Sequence, residues 1–150
     1  MKTMIRITIC LVFVLMFVSF AQAQKVPKAI EAQIQKELDC DDSELSVSSV
    51  KIGSSKLGYQ GYCDSSYQAY FYEKTGNGIK KIFDGTYSMN GQVGFTKKVY
   101  NGYYEILMGG SAGPYLTISE TYRWNGSRYI RYKCEEENLE NPKKPRRSPC

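Results

Sequence analysis

The chain has 150 residues, 20 basic and 15 acidic side chains, a formal net charge of +5 and no histidine. The lack of histidine excludes Ser-His-Asp and Cys-His catalytic sites and removes the commonest general base and metal ligand. The charge does not indicate specific nucleic-acid binding, because residues 24–142 hold 14 basic and 15 acidic residues and contain no nucleic-acid recognition motif.

The first 23 residues have the pattern of a secretory signal peptide. Lys2 and Arg6 precede an apolar run over residues 7–20, and Ala21-Gln22-Ala23 supplies the small-x-small motif that signal peptidase reads. The run has about 14 residues, fewer than the roughly 20 that span a bilayer, which argues against an uncleaved membrane anchor. We therefore predict that residues 1–23 are cleaved and that the mature protein is secreted or periplasmic.

Cleavage would remove Cys10 and leave Cys40, Cys63, Cys134 and Cys150. An even number of cysteines in an exported chain predicts two disulfides, for which three pairings are possible. We prefer the pairing of chain neighbours, Cys40 with Cys63 and Cys134 with Cys150, although the sequence leaves the choice open. There is no CxxC pair, so the pattern argues against a zinc site.

Residues 25–38 have the period of an amphipathic helix. An apolar residue recurs every four positions, at Val26, Ile30, Ile34 and Leu38, and Pro27 suits a position in the first turn. We expect the helix to pack this apolar stripe against a sheet.

From residue 45 onward the pattern predicts a meander of β-strands. All 13 tyrosines lie between Tyr59 and Tyr132, and Gly and Asn-Gly turn signals separate short aromatic and β-branched runs. The predicted strands are Ser46–Ile52, Leu57–Cys63, Ala69–Lys74, Ile79–Asp84, Gln92–Tyr100, Tyr103–Met108, Tyr115–Trp124 and Ser127–Cys134. The predicted fold is mainly β, an antiparallel meander sheet (sandwich or barrel-like) with one N-terminal helix. It forms a single domain over residues 24–140, followed by a basic, proline-rich tail over 141–150.

The most specific prediction of strand register concerns the last hairpin. Asn125-Gly126 favours a two-residue type I′ turn, which would pair Trp124 with Ser127. In that register Glu120 faces Arg131 as a cross-strand ion pair. Asn125 also begins an N-glycosylation sequon, which matters only if the source organism glycosylates.

Several aromatic and turn motifs together resemble a known group of domains. They are the apolar strand that ends at Cys63, Tyr70-Phe71-Tyr72 followed by Gly78–Phe83, Asn101–Ile106 and the hairpin Thr121–Tyr129. From about Val47 to Cys134 the chain resembles exported bacterial β-domains related to the FG-GAP/VCBS repeat. Repeats of that type often bind calcium in an Asp-rich loop, but the matching segment here, Lys51–Gly58, has no carboxylate. Because Ca²⁺ requires several oxygen ligands, we expect no calcium site.

The segment Gly109–Tyr115 carries a second resemblance. Its small residues, with Ser111 and a closing Tyr115, are similar to the inserting loop of periplasmic lysozyme inhibitors. That resemblance implies a protein that blocks the cleft of a secreted hydrolase. An ordinary connection between two strands explains the same residues, because Gly and Pro commonly mark loops.

The density of tyrosine favours a binding role over catalysis. Tyr67, Tyr70 and Tyr72 fall around one predicted strand and alternate across its faces, so at least one should be exposed. Tyrosine offers rigid contact area with a polar end, which suits both protein and sugar recognition. We therefore predict a non-enzymatic exported domain that binds a protein or a cell-envelope glycan, without cofactor or metal, through these tyrosines or through Ser111 and Tyr115.

Two other interpretations concern charged residues. A small hydrolase could use a pair of carboxylates chosen from Asp64, Asp84, Glu105 and Glu120. The basic tail is predicted to be solvated and could bind anionic surfaces weakly through Lys143, Lys144, Arg146 and Arg147.

Overall fold

The computed structural model describes residues 25–64, 67–76, 78–87 and 91–140, together with the backbone of 146–147. The elements are helix α1 (Lys28–Leu38) and strands β1 (Leu45–Lys51), β2 (Leu57–Cys63), β3 (Gln68–Thr75), β4 (Gly78–Thr86), β5 (Gln92–Tyr100), β6 (Tyr103–Gly113), β7 (Leu116–Trp124), β8 (Tyr129–Asn138) and β9 (Arg146–Arg147). They form two antiparallel sheets in the orders β1-β2-β3-β4 and β5-β6-β7-β8-β9. The predicted mainly-β meander with one N-terminal helix is confirmed, and the two sheets form an open sandwich.

Helix α1 covers one face of the first sheet. It begins after Pro27, whose φ of −61° suits a helix start, and it ends at Asp39, which adopts the left-handed conformation at φ 50°. Ile30, Ile34 and Leu38 are buried against β2 and β3, as the apolar stripe predicts. The start lies three residues later than predicted, because the helical hydrogen bonds begin from the carbonyl of Pro27.

Two features of β2 hold the helix close to the sheet. A Cβ at Gly61 would lie 2.4 Å from Cγ2 of Ile34, so only glycine permits this approach. Cys63 forms a disulfide with Cys40, just after the helix, which confirms the preferred pairing for these two residues. Cys134 is also disulfide-bonded, and its predicted partner Cys150 lies outside the described residues.

Aromatic side chains fill the space between the two sheets. Phe71 of β3 lies 4.3 Å from Phe95 of β5, measured between ring centroids, and Phe83 of β4 lies 5.0 Å from Tyr122 of β7. These contacts place β5 over β3 and β7 over β4. Their burial provides a large apolar area for so small a domain.

The register of the last hairpin differs from its prediction. Trp124 pairs with Tyr129 rather than with Ser127, so residues 125–128 form a four-residue loop. The side-chain oxygen of Asn125 accepts hydrogen bonds from the backbone N–H groups of Ser127 and Arg128, and this Asx turn stabilises the longer loop. A bulge at Thr121/Tyr122 then shifts the register again.

These shifts change the partner of Glu120 without breaking its ion pair. Glu120 faces Cys134 across the sheet, and Tyr122 faces Arg131. Arg131 still reaches Glu120 diagonally, at 2.7 Å between Nη1 and Oε1, so the predicted ion pair is present.

Strands β6 and β8 run further than predicted, to Gly113 and Asn138. Beyond β8 the tail returns as β9, which places Arg146 opposite Glu136 and Arg147 opposite Glu135. The expectation of a solvated tail is therefore wrong for the backbone of these two residues. The proposed signal peptide, Lys143 and Lys144 lie outside the described part of the chain, in which no helix is long and apolar enough to cross a membrane.

Candidate functional site

At one end of the first sheet, the face turned toward the second sheet carries polar residues. The register aligns Ser46 with Tyr62 and Ser48 with Gln60, on the face that carries Phe71 toward the second sheet. In a closed sandwich these inward positions are apolar. Because β5 lies over β3, Gln60 and Tyr62 of β2 line an open cleft at this end, whereas Val50 and Ile52 at the other end of β1 pack in the core between the sheets.

This cleft, which we call the tyrosine shelf, has a volume of about 620 Å³. Its lining residues are Gln60, Tyr62, Asp64, Tyr67, Tyr87, Gly91, Gln92 and Val93. The shelf therefore combines three phenol rings, two amide side chains and one carboxylate beside the edge strand β5.

Two tyrosines form the wall at one end of the shelf. The rings of Tyr67 and Tyr87 meet edge to face, with centroids 6.0 Å apart at 85°. The backbone N–H of Tyr87 donates to the carbonyl of Tyr67 at 2.8 Å, which fixes their spacing. Tyr67 has φ 50°, a left-handed conformation that is uncommon for an aromatic residue, and 37% of it is exposed. Strain of this kind persists where the surrounding structure enforces it, often at binding sites.

Burial and a nearby carboxylate act on one of the shelf phenols, Tyr87. Burial, followed by the negative charge of Asp64, raises the pKa of Tyr87 above its ordinary value of 10.0. At neutral pH Tyr87 thus offers a hydroxyl donor, and the exposed carboxylate of Asp64 offers acceptors at the rim. The shelf presents the groups that bind a neutral ligand rich in hydroxyl or amide groups.

Of the tyrosines singled out in the sequence, only Tyr67 lies in the shelf. Tyr70 and Tyr72 point to the opposite face and pack beneath α1, where the hydroxyl of Tyr72 donates to Glu37 at 3.2 Å. Burial, followed by the charge of Glu37, raises the pKa of Tyr72. Tyr72 is fully buried, so it cannot contact a ligand in this state.

Ser111 and Tyr115 lie at the end of the β6–β7 hairpin. Gly109–Gly113 belongs to β6 rather than to a free loop, so the predicted loop is limited to the turn at Pro114 and Tyr115. The Ser111 hydroxyl donates to the carbonyl of Gly113 at 2.7 Å, and Tyr115 is 55% exposed. These residues do not line the shelf.

The four candidate carboxylates lie apart from one another. Asp84 is 3.6 Å from Lys81 below α1, Glu120 pairs with Arg131, and Asp64 alone lines the shelf. Glu105 is 4% exposed on the outer face of the second sheet, where Arg123 Nε donates to it at 2.8 Å. Among the described residues the shelf therefore offers one carboxylate, not the pair that glycoside hydrolysis requires.

Within the described ranges, one group of potential metal-ligand side chains lies close together, and it consists of Cys40, Glu44 and Cys63. Its two sulfurs are joined as a disulfide, so they provide no thiolate for a metal.

Sequence reasoning missed Tyr62, Tyr87, Gln60 and Gln92. A signal was present for two of them, because Gln60 and Tyr62 occupy alternate positions of a strand whose other face is buried. Gln92 reaches the shelf through the packing of one sheet on the other, and Tyr87 through the pairing of β4 with β3. No local sequence pattern encodes either of these long-range contacts.

Comparisons of the chain with protein-family models, with curated proteins and with solved structures find no match.

Proposed function

We propose that this protein is an exported, non-enzymatic binding domain whose tyrosine shelf recognises a cell-envelope glycan. The observation that carries the proposal is the shelf itself: three tyrosines, two glutamines and Asp64 occupy a cleft that a sandwich of this kind would otherwise fill with apolar side chains. Export is supported by the signal-peptide pattern of residues 1–23 and by the Cys40–Cys63 disulfide, a bond typical of oxidising compartments.

The chemistry of the shelf matches that of a sugar ring. The C–H face of a pyranose packs on the face of an aromatic ring, and its hydroxyls need donors and acceptors at the ring edge. Tyr67 and Tyr62 supply ring surface, whereas Gln60, Gln92 and Asp64 supply the polar partners. Tyr67 is held by its contact with Tyr87, so little conformational entropy is lost on binding.

A polysaccharide panel tests the proposal. Purified mature protein with intact disulfides would be pelleted with insoluble peptidoglycan, chitin and cellulose, beside the variants Tyr67→Ala and Tyr115→Ala. Tyr115 is the matched control, because it is an exposed tyrosine outside the shelf. We expect at least one polysaccharide to retain the protein, with loss on Tyr67→Ala and no change on Tyr115→Ala. Retention by none of them, or equal retention of the Tyr67 variant, would refute the proposal.

The β6–β7 hairpin favours a second candidate, an inhibitor of a secreted hydrolase. Its tip combines a stiff turn, held by the Ser111–Gly113 hydrogen bond, with the 55% exposed ring of Tyr115. Lysozyme activity measured with wild-type protein, Ser111→Ala and Tyr115→Ala tests it. Inhibition that both substitutions abolish would favour this function, whereas an absence of inhibition would remove it.

A further inference from the structure

A second hollow lies on the outer face of the second sheet, beside the shelf. It has a volume of about 420 Å³, and the residues that shape it include Gln92, Gly94, Thr96, Leu107, Gly109 and Ser119. The register explains the hollow, because Gly94 pairs with Leu107 and Gly109 lies between Gln92 and Ser119. Two of these neighbouring positions have no side chain, so the sheet surface is sunken there.

The hollow and the shelf share Gln92 and Val93 of β5. Strand β5 is the first strand of its sheet, and within the described residues no strand pairs with its other side. The two cavities therefore lie on opposite faces of one edge strand and meet at its start. Within the described residues, Gln92 therefore connects the shelf to the outer hollow.

We propose, resting on the glycan-binding function above, that the ligand is a linear polymer of acetamido sugars that is bound along its length and crosses the β5 edge. Side chains on the two faces of one sheet end roughly 10 Å apart, which is similar to the spacing of packed sheets. A single sugar ring therefore cannot fill both cavities. An oligomer can fill both cavities. Once its first unit is bound, contact with the second cavity is intramolecular and raises the overall affinity.

The composition of the hollow indicates the sugar class. Leu107 is 46% exposed and offers an apolar wall, and the hydroxyl of Ser119 lines the same hollow. The Thr96 hydroxyl donates to Glu105 at 3.3 Å and accepts from the Lys98 N–H at 3.2 Å, which leaves it one further acceptor position. An acetamido group needs this combination, an apolar contact for its methyl group and hydrogen-bond partners for its amide.

Gly94→Val blocks the hollow with little risk to folding. A Cβ at Gly94 meets no atom within 4 Å, and the backbone there is not in the left-handed region, so a β-branched residue suits the strand. Gly78→Val is the matched control, because it starts β4 away from both cavities and its Cβ comes no closer than 3.9 Å to another residue.

The experiment is calorimetric titration of the mature protein and these variants with linear N-acetylglucosamine oligomers of one to six units. We expect wild-type and Gly78→Val affinities to rise roughly tenfold or more between short and long oligomers. Gly94→Val should bind short oligomers normally and lose the gain with length, and Tyr67→Ala should bind none. Affinity that does not depend on length, or a Gly94→Val profile equal to wild type, would overturn the inference.

The outcomes separate this inference from the proposed function. Binding of short oligomers that depends on Tyr67 supports the shelf even if length has no effect. Retention by cellulose alone in the pelleting panel would support the shelf and overturn the acetamido-polymer inference. Retention by no polysaccharide would remove both.

Discussion

Glu73 of β3 links the two sheets through a lysine and a tyrosine. Its Oε1 accepts from Lys56 at 2.8 Å and its Oε2 accepts from the hydroxyl of Tyr103 at 2.9 Å. Tyr103 in turn stacks on Trp124, with ring centroids 4.1 Å apart. Burial by itself raises the pKa of Glu73, but the two hydrogen bonds outweigh it and the pKa lies below its ordinary 4.5.

This shift predicts how stability depends on pH. Because the folded-state pKa of Glu73 is lowered, its contribution is present above the unfolded pKa and is lost as pH falls through the folded pKa. The pKa of Lys56 shifts in the opposite direction, because the hydrogen bond to Glu73 raises it above 10.5. The contribution of Lys56 to stability is therefore lost only in strong alkali.

Glu73→Gln should therefore lower the unfolding midpoint at pH 7 and have little effect in acid. We expect a loss of about 4 °C, the shift that about 1 kcal/mol gives in a domain of this size once screening of the partly exposed Lys56 is allowed for. Thermal unfolding from pH 3 to 8 measures it, with the exposed Glu140→Gln as control. A constant difference between Glu73→Gln and wild type across that range would contradict the ion-pair explanation.

At the scale of elements, the approach of α1 to β2 depends on a missing side chain. Gly61→Val would drive a branched side chain into Ile34, whose Cγ2 lies 2.4 Å from the ideal Cβ position. We expect this substitution to lower the free energy of unfolding by about 1–3 kcal/mol, the usual cost of overpacking. Denaturant unfolding measures it, and Gly94→Val, which meets open space, should leave stability unchanged. Equal stability of the two variants would show that the helix can move away without cost.

The Cys40–Cys63 disulfide also links α1 to β2, because Cys40 closely follows the helix and Cys63 ends the strand. Cys40 and Cys63 are 23 positions apart, so the bridge restricts a loop of the unfolded chain. Replacing both by serine should lower the free energy of unfolding by about 2–4 kcal/mol, again measured in denaturant. An unchanged midpoint would mean that helix packing alone fixes this region.

The sequence predicted elements more reliably than their register. The helix and eight of the strands follow from periodicity and turn residues, which act locally. The hairpin register failed because the Asn125 side chain, by accepting backbone N–H groups, favours a four-residue loop over the two-residue turn that Asn-Gly most often forms. Competing local hydrogen bonds of this kind are invisible to the hydrophobic pattern.

At the scale of the whole molecule, the site arises from the offset between the sheets. Tyr67 was predicted as a binding residue and lies in the shelf. Tyr70 and Tyr72 were predicted with it, but they pack beneath the helix on the opposite face of β3. Gln92 joins Tyr67 in the shelf because β5 lies over β3, which brings the start of β5 beside Gln60 and Tyr62 of β2. The aromatic pairing that sets this offset is long-range, so the sequence pattern could not place the site.

The most direct test of the glycan-binding shelf is amide chemical-shift mapping of the mature, isotope-labelled protein during titration with soluble peptidoglycan fragments. Glycan binding in the shelf predicts shifts concentrated in its lining, at Gln60, Tyr62, Tyr67, Tyr87 and residues 91–93. Shifts confined to the hairpin tip around Tyr115, or no shifts at saturating ligand, would contradict it.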